Sequence, residues 1–291
     1  LTQFDTLCYT STQRLSRTGE RKTEVIDIAA PYRKAQSTFH LYCLGDIHAG
    51  TIHCAESHIR QKVKDIQADT NAMWIGMGDY GDFITPKDKR WADGQIAPWV
   101  DPADIGESVR DWLVDLLTPI KHQCIGLLYG NHEVSYSKQN DGKVHEHICK
   151  DLGLPNLSYS CFVRFHFSRD NSLEKHLVTG CFTHGAGNAV TEGWKLNNLV
   201  KYMKSFKADI YAYGHVHDYV SKEITRLDVN SRGKISNITS TGCTTGSWFR
   251  TYTQGVNSSY GEQKVYPPTA LCCAMFTINP NTNFIDVTRS V

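Results

Sequence analysis

The chain has 291 residues, a formal net charge of +1, 40 % apolar and 21 % charged residues, an ordinary globular balance with enough apolar material for a sizeable core. Near-neutral charge excludes general adhesion to polyanions or membranes, so any anion site must be local. No apolar run approaches the roughly 18 residues of a membrane span, and a soluble protein with no membrane partner is expected.

Residues 1–38 are polar apart from one apolar run at Val25 to Ile28 and are expected to form an amino-terminal arm or edge strand, preceding a single domain over 39–291. Phe39 to Leu44 reads as a buried strand, Glu56 to Ala68 has helical spacing, and Ala72 to Met77 is a second apolar run, together a β-α-β unit. Residues 83–103, with Pro86, Gly94, Pro98 and Pro102, form a long loop insertion; Asp104 to Ile120 follows as an amphipathic helix. Cys124 to Tyr129 is a third strand and Val144 to Leu152 a short helix.

The second half is richer in strands, at Phe162 to Phe167, His176 to Phe182, Ile210 to Tyr213, Tyr219 to Leu227, Lys234 to Ser240, Leu271 to Ile278 and Phe284 to Thr288, with one helix at Glu192 to Phe206. The pattern predicts an α/β fold: two mixed sheets packed as a sandwich, the first partly parallel, with helices outside. A second loop insertion near 243–268 carries Trp248, Phe249, Arg250, Tyr252 and Tyr260. Among ten cysteines, Cys43, Cys124, Cys161, Cys181, Cys272 and Cys273 lie inside apolar runs, and no Cys-x-x-Cys pair or signal peptide is seen. Buried free thiols in a reducing, cytoplasmic compartment are expected.

Five short polar motifs end apolar runs: Gly45-Asp46-Ile47-His48, Gly78-Asp79, Gly130-Asn131-His132-Glu133, Thr183-His184-Gly185 and Gly214-His215-Val216-His217. In open α/β sheets the groups at strand carboxyl ends converge on one crevice, so motifs far apart in the chain can meet. Oxygen and imidazole donors without thiolate point to Mn, with Fe, Zn, Co or Ni as alternatives, rather than to a structural zinc clip. Asp79, the one carboxylate available to both halves, is the natural bridge between two ions about 3.5–4 Å apart. His132 is left over as an acid.

In this order the motifs resemble the calcineurin-like metallophosphoesterase superfamily, across residues 45 to 217. The resemblance implies a β-sandwich flanked by helices, a four-layer architecture, and a dinuclear centre. One metal would take Asp46, His48, Asp79 and His217, and the other Asp79, Asn131, His184 and His215. It also implies in-line attack on phosphorus by a metal-bridging hydroxide, with His132 as the acid. Asp82, three residues after Asp79, matches the Gly-Asp-x-x-Asp form of the protein phosphatase branch, where the second acid orients the histidine. The basic residue that follows it there is replaced by Phe83 and Ile84, against a Ser/Thr phosphatase.

The resemblance thus implies a phosphodiesterase, with DNA, RNA or a nucleotide as substrate; the nuclease and phage-type members are closest in pattern, and the arrangement is also similar to cyclic nucleotide phosphodiesterases. A phosphomonoesterase is the alternative, and a non-catalytic scaffold on the same fold is the alternative from another class. Neither a partner ATPase nor an oligomeric state is legible. Arg250 is a candidate for substrate phosphates, whereas Lys87, Lys89 and Arg90 read as a solvated charged loop. Trp248, Phe249, Tyr252 and Tyr260 would either stack on bases or cover core. Glu133 is expected to bond locally, and His53, His58, His145 and His147 to be solvated or satisfied by neighbours.

Overall fold

The computed structural model describes residues 8–10, 24–140, 142–188 and 190–291. A five-stranded sheet has the order β12-β11-β3-β4-β5, built from β3 (Phe39–Leu44), β4 (Ala72–Gly76), β5 (Cys124–Leu127), β11 (Cys273–Asn279) and β12 (Phe284–Ser290). Its β3, β4 and β5 run parallel, and β11 and β12 are antiparallel additions. Parallel strands covered on both faces read as continuous apolar runs. Accordingly Leu41, Cys43, Met73 and Ile75 face the second sheet, while Tyr42, Leu44 and Trp74 face helices on the other side.

The second sheet has the order β1-β2-β6-β7-β8-β10-β9. Its strands are β1 (Cys8–Thr10), β2 (Glu24–Tyr32), β6 (Ser160–Arg169), β7 (Lys175–Thr183), β8 (Ile210–Tyr213), β9 (Ser221–Val229) and β10 (Ile235–Thr244). In β6 the period of two is plain: Cys161, Val163, Phe165 and Phe167 enter the core between the sheets, and Arg164 and His166 face outward. Each large apolar side chain fully buried there contributes about 1.5–3 kcal/mol.

The arm or edge strand expected at the start is not what the chain forms over 24–32. That segment is an interior strand between β1 and β6, sending Ile26, Ile28, Ala30 and Tyr32 into the inter-sheet core. Asp27 and Pro31 interrupt the apolar pattern and concealed it. Within the rest of the expected arm, Cys8–Thr10 form β1 at the edge of this sheet, residues 33–38 lead into β3, and the remainder lies outside the described residues.

Helices α1 (Glu56–Ala68), α2 (Ile105–Leu117) and α4 (Val144–Leu152) cover the five-stranded sheet, and α5 (Glu192–Ser205) covers the seven-stranded one, giving four layers. Helix α2 starts where the Asp104 carboxylate accepts from Glu107 N–H at 3.2 Å. Helix α4 stops at Gly153, whose φ of 69° lets two carbonyls of the last turn be satisfied. The expected helix to Ile120 gives way after Leu117 to a 3-10 turn at Thr118–Gln123, where Pro119 stands. Two elements had no counterpart in the sequence reading: α3 (Asn131–Asn140) and the single turn α6 (Tyr260–Gln263). No helix among the described residues is long and apolar enough to cross a membrane. All six cysteines expected to be buried thiols are buried.

His145 on α4 is 3 % exposed, stacks on Tyr80 at 6.2 Å, and its Nδ1 has no hydrogen-bond partner among the described residues. Burial lowers its pKa from the ordinary 6.5 to about 4. The native state therefore keeps this ring neutral while the unfolded chain takes up a proton below pH 6.5, so stability falls as pH drops and levels off below about 4. Between neutrality and mid-acid pH this one group is expected to cost about 2–3 kcal/mol. Urea midpoints for the wild type and His145→Gln should converge as pH falls; parallel curves would refute the assignment.

Candidate metal centre

Every motif residue lies just beyond a strand's carboxyl end. Asp46 and His48 follow β3, Asp79 follows β4, Asn131 follows β5 at the start of α3, His184 follows β7, and His215 and His217 follow β8. The connecting backbones lock together: Asp46 N–H donates to Gly78 O at 2.9 Å, Ile47 N–H to Asp79 O at 2.9 Å, and Trp248 N–H to Asp46 O at 2.9 Å. Asp46, His48, Asp79, His215 and His217 all adopt positive φ, between 47° and 71°. For residues other than glycine this costs about 1–3 kcal/mol each and persists only where the surroundings over-determine it. The left-handed turns bend each chain sharply enough to aim its side chain back over the strand ends.

Two glycines make the approach feasible. A Cβ on Gly130 would stand 2.1 Å from Asp79 Oδ1, and one on Gly78 2.7 Å from both Gly130 N and His184 Nδ1. Behind them Glu133, 1 % exposed, accepts from the backbone N–H groups of Asp79 (3.1 Å), Tyr80 (2.8 Å) and Gly130 (2.8 Å). Burial and the neighbouring Asp79 charge push its carboxyl up to about 7, against the Gly130 N–H. Glu133 ties the second and third motifs together: the bond to Gly130 is the local one the sequence suggested, and those to Asp79 and Tyr80 reach across more than fifty residues.

The side chains form three groups whose donor atoms lie within 4.8 Å of one another: Asp46, His48 and His217; His48, Asp79 and His132; and Asp79, His184 and His215. Nε2 of His48 and Nε2 of His217 face each other at 2.9 Å, and Asp46 Oδ1 is 3.4 Å from His217 Nε2. On the other side His184 Nε2 is 3.1 Å from Asn131 Oδ1 and 3.3 Å from Asp79 Oδ2. Asp46, Asp79 and His184 are essentially inaccessible, at 0 %, 1 % and 0 %.

Two atoms test whether a cation fits. Asp46 Oδ1 and His215 Nδ1 are buried without a hydrogen-bond partner among the described residues; the other His215 nitrogen, Nε2, donates to Gly187 O at 3.0 Å. Each is therefore a free lone pair aimed inward. Other imidazoles are fixed by outer partners: His184 Nδ1 donates to Met77 O at 2.8 Å and His48 Nδ1 to the Asp82 carboxylate at 3.2 Å. Their Nε2 lone pairs are left for the centre.

Electrostatics agree. Burial works to raise the Asp79 carboxyl, but His184, His132 and His48 hold it well below the usual range; Asp46 is likewise lowered, against its burial, by His217 and His184. Burial disfavours a charged His184, and the Asp79 carboxylate reverses this to about 10. The two buried carboxylates demand positive charge between them, from imidazolium protons or from divalent cations. Carboxylate, amide and imidazole donors with no thiolate fit Mn, Fe, Zn, Co or Ni.

Several residues stand elsewhere than expected. Asp82 Oδ1 lies 3.2 Å from His48 Nδ1 and 3.6 Å from His132 Nδ1, and it is the Asp82 backbone carbonyl that accepts from His132 Nδ1, at 2.5 Å. The Asp82 carboxylate thus orients a candidate ligand rather than the acid. Asp82→Asn is expected to weaken metal binding by about 10–100-fold, measured by competition with a chelator; unchanged affinity would remove Asp82 from that role.

Arg250 is absent from the cleft lining and is tied to Cys54 O at 3.2 Å and His58 Nδ1 at 3.4 Å, so its guanidinium braces the start of α1. Trp248 is fully buried in the core beneath the helices, while Phe249 packs edge-on against His48 at 5.3 Å. Arg90, read as solvated, is anchored by Asp88 (Nε 3.0 Å, Nη2 2.9 Å), and its Nη1 donates to His132 Nε2 at 2.9 Å. Buried Lys195 also reaches the cleft, paired with Asp218 at 2.9 Å. Neither had a sequence signal beyond its charge.

No family model matches the chain, and no curated protein matches it. Among solved structures it is similar to Vps29 of Chaetomium thermophilum, at 9 % identity over 87 % of this chain and 94 % of that chain, with a TM-score of 0.37. A likeness at that level bears on neither activity nor partner.

Proposed function

We propose that this chain is a two-metal-dependent phosphoesterase of the calcineurin-like kind, acting by preference on a phosphodiester of nucleic acid or a nucleotide. The observation that carries the reading is the convergence of seven donors from five strand ends, with Asp46 Oδ1 and His215 Nδ1 buried without a hydrogen-bond partner among the described residues. Asp46, His48, Asp79 and His217 would hold one ion, and Asp79, Asn131, His184 and His215 the other. Bound divalent cations supply charge neutralisation at phosphate oxygens and a water acidic enough to act near neutral pH.

The chain's own groups account for the remainder. Asp82 and Met77 O fix which nitrogen of His48 and of His184 faces inward. His132 presents Nε2 to the cleft because its Nδ1 is committed to Asp82 O. In the ground state that Nε2 accepts from Arg90, whose guanidinium is always charged. A phosphate oxygen competing for the Arg90 N–H frees Nε2 to take up a proton released by the attacking water and pass it to the leaving oxygen, and Arg90 then stabilises the charge that develops.

One observation favours a phosphomonoesterase as the second reading: the Arg90 cation beside the centre suits the additional charge of a monoester. The deciding experiment compares a bis-aryl phosphodiester with an aryl phosphomonoester on Mn-loaded protein. Faster diester turnover supports the first reading and the reverse ratio the second. Protein that retains no metal after dialysis against Mn and cleaves neither ester would be a scaffold.

A further inference from the structure

We infer that the substrate is a small phosphodiester carrying a single flat ring, of nucleotide size, and not a nucleic-acid strand. The inference rests on the phosphodiesterase reading and deepens it. The cleft over the donor cluster has a volume of about 330 Å³, near the lower end of the roughly 300–1,000 Å³ typical of small-molecule sites. A polymer is held through several phosphates, each needing a cation along its track. Among the described residues, the lysines and arginines of the cleft wall are Arg90 and Lys195. Both are engaged, Arg90 by Asp88 and Lys195 by Asp218, each at 2.9 Å.

Arg90 spends Nε–H and one Nη2–H on Asp88 and one Nη1–H on His132. Of five N–H groups, two remain, enough for a single phosphate. The wall opposite is aromatic. Phe249 stands 5.8 Å from the His217 ring, and Tyr260 and Tyr266, which also line the cleft, meet edge-on at 6.3 Å. Tyr260 is 48 % exposed, with Lys264 Nζ over its ring at 5.8 Å from the centroid. Tyr266 is held by Tyr252, whose hydroxyl donates to its carbonyl at 3.0 Å. Rings so placed offer a face to one base or similar ring, for which stacking is effective without sequence readout. In the reaction, water oxygen bonds to phosphorus, one ester P–O bond breaks, and the leaving oxygen takes a proton. The products are a phosphomonoester and an alcohol.

The test uses the full chain loaded with Mn on four substrates: a bis-aryl phosphodiester, a cyclic mononucleotide, a dialkyl phosphodiester without a ring, and a long single-stranded oligonucleotide. The cyclic nucleotide is expected to exceed the oligonucleotide in kcat/KM per linkage, with a KM almost insensitive to salt. Tyr260→Ala and Tyr266→Ala should each shrink the preference for the ring-bearing over the ringless diester about tenfold, a typical stacking loss. Tyr260→Phe should retain that preference, which separates stacking from misfolding. Preferred cleavage of the oligonucleotide with a steep rise of KM with salt, or tyrosine variants with unaltered preference, would overturn the inference alone. Failure to cleave the bis-aryl diester would defeat the phosphodiesterase reading and this inference with it.

Discussion

Replacing Asp79 is expected to strip the centre of metal and abolish turnover. Asp79 belongs to two of the three donor groups, and its oxygens serve both halves: Oδ1 accepts from His132 N–H at 2.9 Å, and Oδ2 lies 3.3 Å from His184 Nε2. Losing a partner behind a ligand costs about 10–100-fold in affinity, and losing a shared ligand should cost more. Because Asp79 has φ of 50°, asparagine tolerates its backbone better than alanine does. Comparing Asp79→Asn with Asp79→Ala therefore separates lost charge from added strain. Metal content after dialysis against Mn is the readout, with circular dichroism to check folding. Two ions per chain retained by the asparagine variant would refute the bridging role.

Substituting His132→Ala should lower turnover by about 10²–10⁴-fold, the usual worth of a positioned proton donor, with the metals still bound. His132 packs edge-on to His48 at 4.7 Å, and its Nε2 is held by Arg90 rather than by a carboxylate. It is close enough to act on a bound ester without supplying a ligand in the proposed scheme. The loss should be greatest for esters with poor leaving groups and small for nitrophenolate, which departs unprotonated. Equal losses across leaving groups would assign His132 to orientation alone. Loss of metal would place it among the ligands, since its nitrogen also lies within reach of His48 and Asp79.

The two-layered strands were legible because burial on both faces leaves an unbroken apolar run, as in Phe39 to Leu44, and burial on one face leaves alternation, as in β6. Helix α4 was legible to the residue, since its apolar stripe ends on a glycine suited to a left-handed cap. Helix α3 was not: it begins in the third motif, is weakly amphipathic and buries only His132 and Glu133. Its start is fixed by the Glu133 carboxylate receiving N–H groups from Asp79 and Tyr80, a tertiary cause without a local pattern. Strand β2 was hidden because Asp27 cuts its apolar run short; on the outward face that carboxylate is satisfied by Arg164 at 2.6 Å and by His166, both on β6.

The sequence by itself determined the candidate donors and their order, two aspartates, an asparagine and four histidines, each placed after an apolar run, and an α/β sandwich to carry them. Those are properties of composition and short-range period, written in neighbouring residues. Only the tertiary structure decided which imidazole nitrogen faces inward, that the Asp82 carboxylate bonds His48 while its backbone carbonyl bonds His132, that Arg250 braces a helix, and that Arg90 enters from the long loop. These depend on contacts between residues as far apart as His48 and His217, 169 positions along the chain. Strand register and loop path set such distances, and neither is encoded in the spacing of residues along a single segment.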